Sequence, residues 1–181
     1  MAKPQVDIEV DEATGRWTVD GLPMILIPQH FFVNNHVAIE NALGPDEFGR
    51  LLAPAGYKSA YFWCEREAEY HKLSGVDVFL HYMRRLSQRG WAQFKVLSCD
   101  EKTGRASVRV DHSLLVTGTP PGQNRKLCYM FGPWLQGSFE YVMTSYGRPT
   151  KLAAREVYCA AEGQHDHCLF EVTAETQNVK R

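Results

Sequence analysis

Near the end of the chain, Glu156, Cys159 and Cys168 bracket a glycine- and histidine-rich turn, Ala160-Ala-Glu-Gly-Gln-His-Asp-His167. A thiolate is a strong, soft ligand for zinc and a carboxylate is an acceptable further donor, so the three side chains can converge on one divalent ion. A closed structural zinc site takes four protein ligands in a tetrahedron, and the fourth has three candidates here: Cys128, His165 and His167. Glu156 and Cys159 are three residues apart and would face opposite ways on a regular strand, so joint ligation needs a turn or bulge between them. The other reading of the same residues is a pair of buried cysteines acting as small apolar groups beside a solvated loop, with Cys128 a lone buried thiol. Cys64 and Cys99 have no companions at ligand spacing and read as helix and strand core.

The elements that must carry these donors are legible from periodicity. Strands at 150–159 and 168–173 make a C-terminal β-hairpin whose base holds the candidate ligands. A helix over 133–147 precedes it, opened by Pro133, running through Trp134, Leu135, Phe139, Val142, Met143 and Tyr146, and stopped by Gly147. Upstream, strands at 91–99 and 105–111 flank the turn 100–104, and 114–117 reads as a further piece of sheet. Ser74 and Asp77 resemble a capping box for a helix that carries Val76, Phe79, Leu80, Met83 and Leu86 on one stripe and closes at Gly90. Before it, 31–43, 45–52 and 54–73 read as three helices punctuated by Gly44-Pro45 and Pro54. Val6, Ile8 and Val10, the turn 11–15, then Trp17 and Val19 form an N-terminal β-hairpin, with 22–28 extended. The expected class is α+β: an antiparallel sheet packed with helices, hairpins at both ends and a zinc clamp at the C-terminal one.

The whole chain of 181 residues suits one domain: an N-terminal region 1–28, a core 29–175 and a disordered tail 176–181. Net charge is −1, and the basic residues come in scattered pairs such as Arg84-Arg85 and Arg125-Lys126, which disfavours nucleic acid as a direct partner. The longest apolar run, residues 24–27, is too short to cross a bilayer, and the N-terminus lacks a secretory apolar core, so a cytoplasmic protein without membrane partners is expected. Five cysteines in a reducing compartment are expected to be free of disulfides. No Ser-His-Asp order, phosphate-cradling loop or dinucleotide fingerprint is present, and no catalytic residue is assigned. Glu65 and Glu69 share a helix face that is most simply solvated, and neither they, Glu67 nor His71 receives a role.

The run Gly147-Arg-Pro-Thr-Lys-Leu-Ala-Ala-Arg-Glu156-Val-Tyr-Cys159, followed by Gly-Gln-His-Asp-His-Cys168, resembles the C-terminal signature of the 4-vinyl reductase domain family, most specifically over 134–172. That family includes the sensory domains of phenol- and xylene-responsive activators, a protein linked to bacteriochlorophyll vinyl reduction and, more distantly, vesicle-tethering subunits. The resemblance implies zinc on Glu156, Cys159 and Cys168. In the phenol-sensor branch a further cysteine precedes the helix tryptophan, a place that gapless counting puts on Pro133 here, so this chain departs from the pattern.

The resemblance also implies a pocket between sheet and aromatic helix. Among 21 aromatic residues, Trp134, Phe139, Tyr141 and Tyr146 fall on one predicted helix and Phe79 and Tyr82, with His81, on another, a lining suited to a flat or hydrocarbon-like molecule. The same stripes at helical spacing also read as plain core. The leading expectation is a homodimeric sensor or carrier of a small aromatic or hydrocarbon-like ligand with a structural zinc, passing its signal to a separate output protein. The alternatives are an enzyme or accessory protein of the vinyl-reductase kind acting on a tetrapyrrole or aromatic substrate, and a dimeric interaction scaffold.

Overall fold

Polar and apolar residues alternate at both ends of the chain, and both ends form antiparallel sheet. The computed structural model describes residues 5–175, so the expected tail at 176–181 lies outside the described residues. Strands β1 (Glu9–Asp11), β2 (Arg16–Val19) and β3 (Leu22–Met24) form a small meander, one strand more than the expected hairpin. Helices α1 (Gln29–Leu43), α2 (Pro45–His71) and α3 (Val76–Gln88) follow. Strands β4 (Gln93–Asp100) and β5 (Arg105–Asp111), the helical turn α4 (Leu114–Thr117), helix α5 (Phe131–Ser145) and strands β6 (Leu152–Tyr158) and β7 (Cys168–Ala174) complete the described chain.

The main sheet is antiparallel in the order β4-β5-β7-β6. Ala106, Val108 and Val110 of β5, Cys168, Phe170 and Val172 of β7, and Leu152 and Glu156 of β6 are buried, as period-two alternation on a half-buried sheet requires. Helix α5 packs on β6 and β7, α2 lies across α5, α3 joins α5 to β4, and α1 leans on α2. Phe79, Phe131, Phe139, Leu135 and Phe170 fill the space between helices and sheet with no exposed surface.

Three expectations give way to tertiary context. Pro54 does not divide two helices: α2 runs unbroken for 27 residues, because Pro54 and Arg50 both lie on its exposed side, where the carbonyl left unbonded can meet water. Residues 114–117 are helical and do not extend the sheet, since Leu114 and Leu115 are buried in succession and Ser113 caps the turn by accepting from the Leu115 N–H at 3.3 Å. The Ser74–Asp77 capping box is not formed. Gly75 is the N-cap of α3, at φ +58°, and the Tyr146 hydroxyl lies against it where any side chain would sit. On α3 the buried stripe is Val78, Phe79, Tyr82, Met83 and Leu86, while Leu80 faces out.

The α2–α5 crossing depends on small residues. A β-carbon at Gly137 would overlap the carbonyl oxygen of Tyr57 and lie 3.1 Å from its carbonyl carbon, and one at Gly56 would come 2.9 Å from the Trp134 ring. Replacing an exposed helical glycine by alanine stabilises by about 1 kcal/mol, but at Gly137 the two backbones must separate. Gly137→Ala is expected to lower stability by about 2 kcal/mol or more in chemical denaturation; an unchanged or raised midpoint would show that the crossing is not close-packed.

Candidate metal centre

Strand β6 pairs with β7 in regular register from Leu152↔Ala174 to Glu156↔Phe170, after which the partner of Tyr158 is Leu169. The shift is a β-bulge between Glu156 and Tyr158, and it supplies the turn that joint ligation required. The extra residue turns Tyr158 to the outer face and brings Cys159 opposite Cys168, so that Glu156, Cys159 and Cys168 all point inward. The two sulfurs are 3.4 Å apart, and neither belongs to a disulfide.

Cys128 is the fourth member. It precedes α5, and its sulfur is 3.6 Å from that of Cys168 and 3.1 Å from Ser113 Oγ. Four donor atoms, from Cys128, Glu156, Cys159 and Cys168, lie within 4.8 Å of one another, and all four residues are buried. Pro133, the position reached by gapless counting, packs toward Gly56 of α2 instead, with its β-carbon 3.4 Å from where a Gly56 side chain would begin. His165 and His167 stay on the outer side: His165 stacks on Tyr158 at 3.8 Å between centroids, and His167 Nε2 is 2.9 Å from the Tyr158 hydroxyl.

Neighbouring segments hold these donors. The Glu162 side chain accepts from the Cys159 N–H at 2.7 Å, and the Ala160 N–H donates to Cys168 Sγ at 3.4 Å, fixing the turn Ala160–Glu162. The Asn124 N–H donates to the Ala161 carbonyl at 3.0 Å, tying the loop before Cys128 to the same turn. That loop is anchored on α1 by Glu40, 3% exposed, which accepts both arms of the Arg125 guanidinium and the Tyr129 hydroxyl. Burial pushes the Glu40 carboxyl up, but these hydrogen bonds more than offset it and leave it below its usual range.

The electrostatics of the quartet are unusual. Both carboxylate oxygens of Glu156 are buried and accept no hydrogen bond, and burial pushes its carboxyl up to about 9. Hydrogen bonds from the Cys128 and Cys168 thiols hold Cys159 far below the usual thiol range, while Cys128 is raised by donating to Cys159. Three sulfurs and one oxygen at this spacing, with an orphaned carboxyl group, fit a tetrahedral zinc donor set, and zinc would displace the remaining protons.

The aromatic residues expected to line one pocket separate into several places. Phe79 and Phe139 pack together in the core at 5.0 Å. Tyr141 meets Tyr61, and Tyr146 is 46% exposed. His81 and Tyr82 pack on Trp63. Trp134 belongs to a partly buried group that residue spacing did not single out: it meets Trp91 edge-on at 4.9 Å and Phe131 at 5.3 Å, with Phe32 against Trp91 and Phe94 against Phe131. These rings come from four separate elements, so no single helical stripe announced them. Two concave patches lie elsewhere, one of about 350 Å³ around Tyr57 and Glu140 and one of about 340 Å³ beside the 119–124 loop. None of the expected lining residues borders either patch.

Among the described residues, no helix is long and apolar enough to cross a membrane. Solved structures share the fold. The phenol-responsive sensory domain of the transcription activator PoxR, solved with phenol, is similar at TM-score 0.75 and 15% identity, covering 92% of this chain and 84% of that one. A trafficking protein particle complex subunit 3 from Naegleria fowleri, covalently bound to palmitic acid, gives 0.57 at 12% identity, covering 82% and 95%. A vinyl-4-reductase family protein from Methanocaldococcus jannaschii gives 0.54 at 12% identity, covering 84% and 85%. The fold is thus the one that the C-terminal signature implied. No curated protein matches the sequence. A family profile described as a domain of unknown function (DUF5943) matches residues 2–97, just over half of the 181, and the chain belongs to that family.

Proposed function

We propose that this protein is a small-molecule-binding sensor or carrier domain whose C-terminal hairpin is clamped by a structural zinc ion on Cys128, Glu156, Cys159 and Cys168. The observation that carries the metal half is the orphaned Glu156 carboxyl group beside three thiols. Burial holds this carboxyl group toward its neutral form, and a dication would let it ionise while joining the loop before α5 to both strands of the hairpin. With four protein donors the site is closed, so its role is to hold structure and not to activate water.

The ligand half rests on the rings around Trp134 and on likeness of fold to a sensory domain solved with phenol. Trp134, Trp91, Phe131, Phe94 and Phe32 bring together aromatic faces from α5, β4, α1 and the segment before β4, and four of the five are only partly buried. Phe131 is three residues from Cys128, so a flat molecule among these rings would touch the same helix start that the metal fixes. A sensor or carrier of this kind would act on a separate output protein.

A second reading is favoured by a specific surface. Ile25, Leu26 and Phe31, at the connection from β3 to α1, are 79%, 77% and 57% exposed, a concentration of apolar surface that suits a homodimeric interaction scaffold.

Cys128→Ser and Cys168→Ser are each expected to release zinc and lower stability by several kcal/mol, whereas Cys99→Ser and Pro133→Cys leave metal content unchanged; equal zinc retention in all four would remove the clamp. With phenol as probe, the melting temperature should rise, and Trp134→Ala should weaken binding about tenfold, some 1.4 kcal/mol, while Trp17→Ala has little effect. Equal effects of the two substitutions would make the Trp134 group ordinary core. No response to small aromatics, together with dimers that Leu26→Asp dissociates, would favour the scaffold.

A further inference from the structure

Far along the chain from the thiols, α2 and α3 bring a second group of donors together. Glu67 and His71 stand one turn apart on α2 and share a face, and His81 approaches them from α3. Nε2 of His81 lies 2.8 Å from Glu67 Oε2, and Nε2 of His71 lies 3.4 Å from the same oxygen. The three donor atoms fall within 4.8 Å of one another.

The centre of this corner is a buried carboxyl group. The Glu67 side chain is 1% exposed, and its hydrogen-bond partner is an imidazole. Two guanidinium groups stand close by: Arg85 pairs with Asp20 at 2.8 Å and comes within 3.5 Å of His71 Nε2, and Arg89 lies over the Trp63 ring at 4.7 Å. Asp20, at the turn from β2 to β3, also reaches within 3.3 Å of His71 Nε2, which adds a second carboxylate at the edge of the group. The imidazole rings are held in place, His81 by stacking on Trp63 at 5.6 Å and His71 edge-on to Tyr70 at 4.9 Å. Ligands whose rings are fixed before an ion arrives lose little freedom on binding it.

We propose that Glu67, His71 and His81 form a second divalent-cation site, separate from the thiol quartet, with the donor chemistry of zinc or a similar borderline ion. Two imidazoles and a carboxylate make a three-ligand set that leaves a further position for water or for Asp20. His71, whose side chain is 28% exposed, stands at the mouth and gives the ion a route from solvent. Binding uses the lone pairs of His81 Nε2 and His71 Nε2, so the His81 ring proton moves to Nδ1 and the exposed Arg84, 3.5 Å from that nitrogen, swings away, while Arg85, 3.5 Å from His71 Nε2, withdraws onto Asp20. The ion would tie α2 to α3 and, through Asp20, to the N-terminal meander.

The test is titration of the full chain with Zn²⁺ alone, followed by native mass spectrometry, on wild-type protein and on His71→Ala, a substitution at a partly exposed position. Wild type is expected to take up two zinc ions and the variant one. Titration with Co²⁺ assigns them: the intense thiolate-to-cobalt absorption should saturate with the first equivalent in both proteins, and the weaker ligand-field bands of the second should be missing from His71→Ala. Equal stoichiometry in the two proteins would overturn the proposal, leaving Glu67 and His81 a metal-free ion pair. If the variant does not fold, anomalous diffraction from zinc-soaked wild-type crystals decides: a peak between Glu67 and His81 supports the site, and its absence at saturating zinc refutes it.

Discussion

Glu156 is buried without a well-formed hydrogen bond, and burial drives its carboxyl group toward the neutral acid. Its place on the inner face of β6 follows from strand alternation, which puts it in line with Leu152 and opposite Phe170. The bulge that follows then turns Cys159 to the same side. Regular pairing would have put Cys159 on the outer face, away from Glu156. The irregularity in β6 and the orphaned Glu156 are thus two aspects of one arrangement.

Much of the surrounding structure positions the fourth donor. Cys128 lies on an irregular segment, and such a segment holds a sulfur in place only if anchored on both sides. The Arg125–Glu40–Tyr129 network fixes it to α1, the Asn124–Ala161 bond fixes it to the hairpin turn, and Ser113 meets the sulfur itself. Helix α5 starts directly afterwards, and the close approach allowed by Gly56 and Gly137 seats α2 upon it. A change in the aromatic group around Trp134 would therefore reach the start of α5 and the metal donors through a short, packed path.

What could be read from the residues divides along physical lines. The C-terminal hairpin, the strands around the 100–104 turn and the aromatic helix were legible because period-two and helical patterns were strong and the turns carried glycine. Glu156, Cys159 and Cys168 were legible as candidate ligands from their chemistry, and Cys128 stood among three candidates for the fourth place. Only folding separates it from His165 and His167, because the bulge that turns the cysteines inward leaves the histidines on the outer face with Tyr158. Pro54 read as a helix break because local rules do not know which side of a helix is wet. Residues 114–117 read as strand because short apolar runs are ambiguous in period. The aromatic residues expected to line one pocket lie apart for a related reason: stripes on α3 and α5 are mostly core, whereas Trp91, which meets Trp134, and Phe32 and Phe94 beyond it come from segments distant in sequence. The Glu67–His71–His81 group needed two helices to meet, and its α3 member carried no pairing signal.

The central claim is that three thiolates and one carboxylate hold a single zinc ion. X-ray absorption at the zinc edge tests it most directly, on protein purified without added metal and then adjusted to one equivalent of zinc. The expected result is a tetrahedral shell of three sulfur atoms at about 2.3 Å and one oxygen at about 2.0 Å. A shell dominated by nitrogen and oxygen, or zinc that leaves the folded protein on gel filtration, would contradict it.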